Sequence, residues 1–371
     1  MDGRRWRFDG SLSLSDAFGT DSEGTGSRPI CGTYERVVDG AEPARPRARG
    51  PFRWGIVATG NVASDMAAAL EAVPDAEVVA VGSGSARAAE RFGDRFRIAR
   101  RYPQYSGVAQ DPEVEIAYIA TPNDAHLANV LECLRAGKHV LCEKPLTLDA
   151  AQATECVHLA RENELFLMEA VWMRFFPAFR QLQAWLADGV IGDVRMVRAE
   201  ACINVPFDPR HRVFDPARGG GALLDLGVYP LSLTTSVLGF PASVEGRAGV
   251  GPTGVDELTT IVLQYESGAT ARLTCGVRDS RPIEAEVVGT RGSIVIHDRF
   301  LSPSRLTVHE FGRSPETVDL PYEGNGYAHE VHEVHACLRG GRTESQLMPL
   351  DETLGTMRLM DEIRRSWRLN S

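Results

Sequence analysis

From residue 53 onward, short and almost wholly apolar runs alternate with stretches whose apolar residues recur at helical spacing. Arg53–Thr59, Glu77–Gly82, Glu115–Ala120 and His139–Cys142 read as buried strands. Asn61–Val73, Ala86–Phe96, Ala125–Ala136 and Asp149–Asn163 read as the helices between them. Strands alternating with helices at this spacing mean βαβ crossovers, so residues 51–168 are expected to form a doubly wound parallel sheet, an α/β Rossmann domain.

The pattern then changes. After a helix at Ala178–Asp188, strand-like runs follow at Val194–Asn204, Ala242–Gly249, Leu258–Tyr265, Ala269–Val277, Glu284–Gly289 and Ser293–His297, with tight turns at Ser267-Gly268 and Arg291-Gly292. Consecutive strands joined by such turns indicate an open, mainly antiparallel sheet. Residues 169–371 are therefore expected to form an α+β domain that supplies a substrate wall and a dimer face, with a C-terminal helix packing back on the first domain.

Residues 1–50 show no apolar period and are rich in Gly, Ser, Asp, Arg and Pro, which reads as a disordered extension. Asp2, Asp9, Asp16, Asp21 and Glu23 do not suit an acid-poor presequence, and an upstream start-site error would look the same.

Composition narrows the function classes. With 43% hydrophobic and 24% charged residues the chain is globular in type, and its net charge of -10 argues against a protein that coats nucleic acid. No apolar run reads as a membrane span, and the 7 cysteines form no C-x-x-C pair, so buried reduced thiols, no metal site and a cytoplasmic location are expected. The only lysines among 40 basic side chains are Lys138 and Lys144. A lysine kept in such an arginine-rich chain marks a place where a guanidinium cannot serve.

The first candidate site is the strand-turn-helix Ala58-Thr59-Gly60-Asn61-Val62-Ala63. A dinucleotide fingerprint needs G-x-G-x-x-G/A so that the pyrophosphate can sit on a helix N-terminus; Gly60 and Ala63 fit, while Ala58 replaces the first glycine. The second strand ends in Ser83-Gly84-Ser85 rather than in the carboxylate that grips a ribose 2'-hydroxyl. Arg87 just beyond either pairs with a 2'-phosphate, favouring NADP over NAD, or is a solvated helix arginine. Thr121-Pro122-Asn123 follows a buried strand, where Asn123 would bond the cofactor, cap the next helix with Asp124, or do both; His126 is on this residue type more often structural than catalytic.

Glu143-Lys144-Pro145 closes the next strand, and Pro145 keeps Lys144 out of helical geometry so that its ammonium is presented at the strand end. After Gly219-Gly220-Gly221, Asp225 and Tyr229 are placed on one face of a helix; Tyr229 is either a core residue or a base activated by Lys144. The run His329-Glu330-Val331-His332-Glu333-Val334-His335 lacks the i, i+4 histidine spacing of a zinc helix and reads as a solvated helix face.

Together, Trp54-Gly55-Ile56-Val57, Thr121-Pro122-Asn123, Ala136-Gly137-Lys138-His139-Val140, Glu143-Lys144-Pro145 and the Gly219–Tyr229 run resemble the Gfo/Idh/MocA oxidoreductases. Met168-Glu169-Ala170-Val171-Trp172-Met173-Arg174-Phe175-Phe176-Pro177, with Tyr229 where many members have His, is most similar to the dimeric dihydrodiol and NADP-dependent D-xylose dehydrogenase branch. Ala58 and Gly84 stand where the family more commonly has Gly and Arg. The resemblance implies a Lys144–Tyr229 catalytic pair assisted by Asp225, with Trp172, Arg174 and Arg212 facing the substrate. The cofactor would lie against Thr59, Gly60, Asn61, Val62, Ser83, Arg87, Thr121, Pro122, Asn123, His126, Glu143 and Lys144. The implied activity is hydride transfer between a cyclic sugar or vicinal diol and NADP, in a homodimer or higher homo-oligomer without nucleic acid or membrane partners. A nucleotide-deoxysugar 3-ketoreductase and a catalytically silent NADP-binding regulator are the competing readings.

Overall fold

The computed structural model describes residues 50–297 and 299–369, with the side chains of 368 and 369 left aside; the expected extension, apart from Gly50, lies outside them. Strands β1 (Phe52–Val57), β2 (Ala76–Gly82), β3 (Arg100–Tyr102), β4 (Ile116–Ile119), β5 (His139–Glu143) and β6 (Leu167–Ala170) form one sheet in the order β3-β2-β1-β4-β5-β6. Every pairing in it is parallel. Helices cover both faces, which is why β4 is buried at all of its positions and reads as one apolar run. The strand order reverses between β1 and β4, and the crevice at their carboxyl ends is where such a sheet binds ligands.

The crossovers are α1 (Asn61–Ala72), α2 (Ala86–Phe96), α3 (Ser106–Gln110), α4 (Asn123–Arg135) and α5 (Ala150–Glu162). The sequence pattern does not show β3, because an edge strand of three residues with two arginines carries no apolar period. It places the start of α4 two residues late.

After α6 (Pro177–Ala187), a second sheet contains β7 (Val194–Cys202), β8 (Ser243–Val250), β9 (Asp256–Gln264), β10 (Thr270–Gly276), β11 (Ala285–Gly289), β12 (Gly292–Ile296), β13 (Arg305–Glu310) and β14 (Glu316–Asp319). Its order is β14-β13-β12-β11-β7-β10-β9-β8, antiparallel except where β10 runs parallel to β7. The open, mainly antiparallel sheet is thus present, two strands wider than the pattern indicated. Helix α7 (Val228–Leu238) lies on β7 and β10, α8 (Ala328–Arg339) on α1, and α9 (Leu350–Leu369) on β8, α5 and α7. The helical run Pro216–Leu238 is long and apolar enough to cross a membrane by composition, but 83% of its most apolar window is buried, so it is a core element.

Candidate active site

The crevice is built by loops that leave the carboxyl ends of β1, β2, β4 and β5. Beyond β1, Gly60 precedes α1, whose first turn has no side-chain cap; Gly60, Asn61 and Val62 are exposed there. A Cβ on Gly60 would meet nothing within 4 Å, so the turn leaves a cradle open above the bare N–H groups of the helix. The Thr59 and Ser83 hydroxyls are 3.1 Å apart and join the ends of β1 and β2. Arg87 is exposed in the first turn of α2. These features fit a dinucleotide pyrophosphate and adenosine ribose. Ala58 carries the strain of the substitution: its φ is +113°, a conformation that glycine adopts freely and alanine does not.

At the end of β5, Lys144 is nearly enclosed. Its ammonium donates to the main-chain carbonyl of Asp225 at 2.7 Å, lies 3.4 Å from the Asp225 carboxylate, and stands 5.1 Å from the ring centre of Tyr229. Asp225 sits in a π-helical turn, Leu223–Gly227, that runs into α7. In an i→i+5 turn the Asp225 carbonyl would be met by the N–H of residue 230, which is proline and has none. Lys144 donates to that carbonyl. The expected α-helical face is therefore a π-turn, yet it still delivers Asp225 and Tyr229 to one cation. Arg212 reaches the same carboxylate at 3.1 Å with its side chain 46% exposed.

The glycine run earns its place sterically. A Cβ on Gly220 would stand 2.6 Å from the Val213 carbonyl oxygen, and one on Gly221 2.2 Å from Asp256 Oδ1. Asp256 in turn accepts the Leu223 N–H at 2.8 Å and fixes the start of the π-turn.

Charges balance closely here. Burial drives the Asp225 carboxyl up, but Lys144 and Arg212 outweigh it and hold it below its ordinary value. Burial pulls the Lys144 ammonium down, while Tyr229, Asp225 and Glu143 more than offset that and raise it. Tyr229 is pushed up to about 12, by burial first and by Glu143 and Asp225, against Lys144. The adjacent cation expected from the sequence is present, but it does not bring the phenol down to neutrality. At neutral pH the site holds an ammonium, a carboxylate and a protonated phenol.

Glu143 accepts from the Tyr118 hydroxyl at 2.5 Å and from the Lys144 N–H at 3.3 Å. Asn123 is the first residue of α4 and not its cap; its side chain donates to the Gly219 carbonyl at 3.3 Å, tying the β4 loop to the glycine run. Thr121 is buried beneath, with Pro122 half-buried beside it.

Two expected contacts are corrected. His126 has no exposed surface, and its ring nitrogens lie 2.9 Å from the Pro145 and Thr121 carbonyls, so it braces two loops and offers nothing to a cofactor. Arg174 is buried against Glu352 at 2.6 and 3.0 Å and also donates to Ser232 and Leu347, which commits its guanidinium to joining α9 and α7. Trp172 packs at 5.3 Å on Phe176 and 4.9 Å on Tyr327, and its shielded indole N–H has no hydrogen-bond partner among the described residues.

The histidine run is not a solvated face. His335 is buried, stacks 4.3 Å over Phe52 and accepts from Trp54 Nε1 at 3.0 Å; His329 packs 5.6 Å from Phe176, and only His332 of the three is exposed. Glu330 is fully buried, and burial followed by the charge of Glu143 raises it well above the carboxylate range. Sequence reasoning missed Glu169, Tyr118 and Glu330. For the first two a signal existed: a carboxylate and a phenol inside the otherwise apolar runs of β6 and β4.

This geometry defines a nicotinamide-dinucleotide oxidoreductase, and comparison with known proteins agrees. Residues 52–171 match the oxidoreductase family with an NAD-binding Rossmann fold, and residues 179–295 match the GFO/IDH/MocA C-terminal domain. The chain belongs to the Gfo/Idh/MocA family and is an NAD(P)-dependent dehydrogenase or reductase. It is 40% identical to human trans-1,2-dihydrobenzene-1,2-diol dehydrogenase over 326 residues, covering 85% of this chain and 96% of that protein. The corresponding Xenopus tropicalis enzyme is 35% identical over 322 residues, 84% of this chain and 96% of that one. Among solved structures, a 3-ketoreductase from Actinomadura kijaniata in complex with NADP and TDP-benzene superposes with a TM-score of 0.76 at 29% identity, covering 86% of this chain and 98% of the other. An aldose-aldose oxidoreductase from Caulobacter crescentus reaches 0.79 at 23% identity, covering 86% and 98%, which shows the shared fold.

Proposed function

We propose that this enzyme transfers hydride between NADP and a secondary hydroxyl of a vicinal diol or cyclic sugar, with Lys144, Tyr229 and Asp225 as its catalytic residues. The observation that carries this reading is the Lys144 ammonium held between Asp225 and Tyr229 at the mouth of the β5 loop. The diol preference is supported by relatives that are trans-1,2-dihydrobenzene-1,2-diol dehydrogenases. NADP is supported by the lack of a carboxylate at the end of β2 and by the exposed Arg87 beside it.

Bound in the β1–β2 cradle, the dinucleotide supplies the hydride acceptor or donor. The protein's own part is proton handling. Tyr229 gives a proton to, or takes one from, the substrate oxygen, while Lys144 stabilises negative charge on that oxygen and on the phenolate. Asp225, ionised, holds the ammonium in place, and Arg212 and Trp172 line the substrate side.

A second reading is reduction of a ketone on a nucleotide-linked deoxysugar. It is supported by the likeness to a 3-ketoreductase in complex with NADP and TDP-benzene, and a phenol protonated at neutrality suits the reductive direction. We also infer a cytoplasmic enzyme, consistent with the free buried cysteines Cys133, Cys142, Cys156, Cys202, Cys275 and Cys337, that self-associates through its second sheet, on the face where Val262 of β9 is exposed.

The test is the absorbance of reduced nicotinamide after mixing the purified protein with NADP or NAD and a panel of cyclic diols, aldoses and inositols. A rise with NADP and a diol or pentose is the expected result. Silence across the panel with separately measured cofactor binding would shift the assignment to the ketoreductase, and failure with ketones as well would leave the regulator.

A further inference from the structure

The loop that presents Lys144 is gripped at a single peptide group. The carbonyl of Pro145 faces His126 Nδ1 at 2.9 Å, and the N–H of Leu146 donates to Glu169 Oε1 at 3.0 Å. These two atoms belong to the same peptide unit, Pro145–Leu146, one residue beyond the catalytic lysine. With its proton on Nδ1, His126 holds one end from α4, and Glu169 holds the other from β6. Both are buried, with 0% and 1% relative exposure.

Such a pair is not what packing alone would select. β6 is buried at every position, and its other residues are apolar. An acid there loses hydration that the Leu146 N–H, with the Thr353 hydroxyl beside it, restores only in part. His126 faces two carbonyl oxygens, those of Pro145 and Thr121, with a ring that, when neutral, has one N–H to give. A hydrophobic pair of similar size would fill both places at less cost but would leave the peptide free to rotate. The rest of the loop is held less directly: the Lys144 N–H reaches Glu143 at 3.3 Å, and Cys142 Sγ lies 3.9 Å from the Leu146 carbonyl.

We infer that Glu169 and His126 are positioning residues for Lys144, clamping the Pro145–Leu146 peptide from both ends so that the ammonium meets the Asp225 carbonyl and the Tyr229 ring together. Both lie beneath the site rather than on its surface. The inference rests on the reading of Lys144 as the catalytic cation, since a displaced loop matters only if its lysine does. A displacement of about 1 Å at a reacting group costs on the order of 100-fold in rate.

The chain has only two lysines, Lys138 and Lys144, and this allows a readout independent of turnover. Lys138 is anchored elsewhere, donating to the Asp111 and Val114 carbonyls at 2.7 and 2.8 Å. Protein carrying carbon-13 at the lysine ε-carbon gives one signal for each. Glu169→Met and His126→Leu are expected to move the Lys144 signal and its titration and to leave Lys138 in place. In both variants kcat falls about 100-fold, while the dissociation constant of NADPH changes less than about threefold. Glu169→Gln keeps a carbonyl acceptor and His126→Asn keeps a donor; each restores kcat to within about threefold of the native value. Because the two residues hold one peptide, the double variant loses little more than either single.

A folded Glu169→Met or His126→Leu variant with native kcat and an unmoved Lys144 signal would overturn the clamp, as would losses that multiply in the double variant. If Glu169→Met fails to fold, the His126 pair carries the same comparison. Should Lys144→Met itself leave turnover intact, the catalytic reading has failed, and a Lys144 signal that still moves in the clamp variants separates that failure from this one.

Discussion

The Lys144 ammonium meets Asp225 twice, at the main-chain carbonyl at 2.7 Å and at the carboxylate at 3.4 Å, and only the second of these contacts is with a side chain. In an i→i+5 pattern that carbonyl would look to residue 230, a proline with no N–H, and the lysine donates to it. A compact charge with three donors fits there, between Asp225 below and the Tyr229 ring beside it; a planar guanidinium is too wide and presents its donors in a fixed fork.

Lys144→Arg is therefore expected to fail nearly as badly as Lys144→Met, although it conserves the charge. Both should lower kcat by roughly 100-fold or more, with cofactor affinity changed little. Steady-state kinetics beside a fluorescence titration of NADPH separates the two quantities. An arginine variant near native activity would mean that charge alone, and not the double contact, is what the site requires.

Tyr229 makes the oxidative direction pH-dependent with a definite sign. Oxidation needs the phenolate, and burial pushes the phenol up to about 12. Below its pKa the phenolate fraction rises about tenfold per pH unit, so kcat/KM for diol oxidation should climb through the alkaline range, while ketone reduction, which uses the protonated form, should not. In Tyr229→Phe both rates drop by roughly 100- to 10,000-fold and the climb disappears. A rising profile that survives in the phenylalanine variant would assign the proton to another group.

Why some of this was legible in the sequence and some was not comes down to geometry. The parallel sheet could be read because β4 and the inner residues of β1 and β5 are buried on both faces and form unbroken runs without charge. Lys144 could be read because a strand end followed by proline fixes where a side chain emerges. Arg174 could not: an arginine beside Trp172 looks the same whether it faces a ligand or, as here, a glutamate 178 positions away. His335 and Glu330 misled for a related reason. Polar residues at helical spacing imply a wet face only where no partner covers it, and α8 is covered by Phe52 and Trp54 of β1.

Ala58 offers a test of local strain. Its φ of +113° costs an alanine on the order of 1–3 kcal/mol, and glycine returns less than about 1 kcal/mol of that as extra freedom in the unfolded chain. Ala58→Gly is expected to raise stability by about 1 kcal/mol, seen as a higher urea midpoint with an unchanged slope. A lowered midpoint would show that the surrounding loop absorbs the strain or that the Cβ packs usefully in its buried place.

Glu330 was also misread; it has no exposed surface, and neither carboxyl oxygen is hydrogen-bonded among the described residues. A buried unpaired polar group costs roughly 1–3 kcal/mol, so the nearly isosteric Glu330→Met should stabilise the fold by that amount at pH 5. The gain should then grow with pH. In the native state burial and Glu143 hold this acid well above 4.5, so it stays protonated where the unfolded chain has already released its proton. The native protein therefore loses stability as pH rises through the range between the two values, and the methionine variant does not. Unfolding free energies of both proteins at pH 5 and pH 8 give the comparison. If the variant is the less stable at both, the carboxyl has a partner that rewards its burial. If it is more stable but slower in turnover, the cost is retained for the catalytic site, whose Tyr229 lies within the electrostatic reach of Glu330.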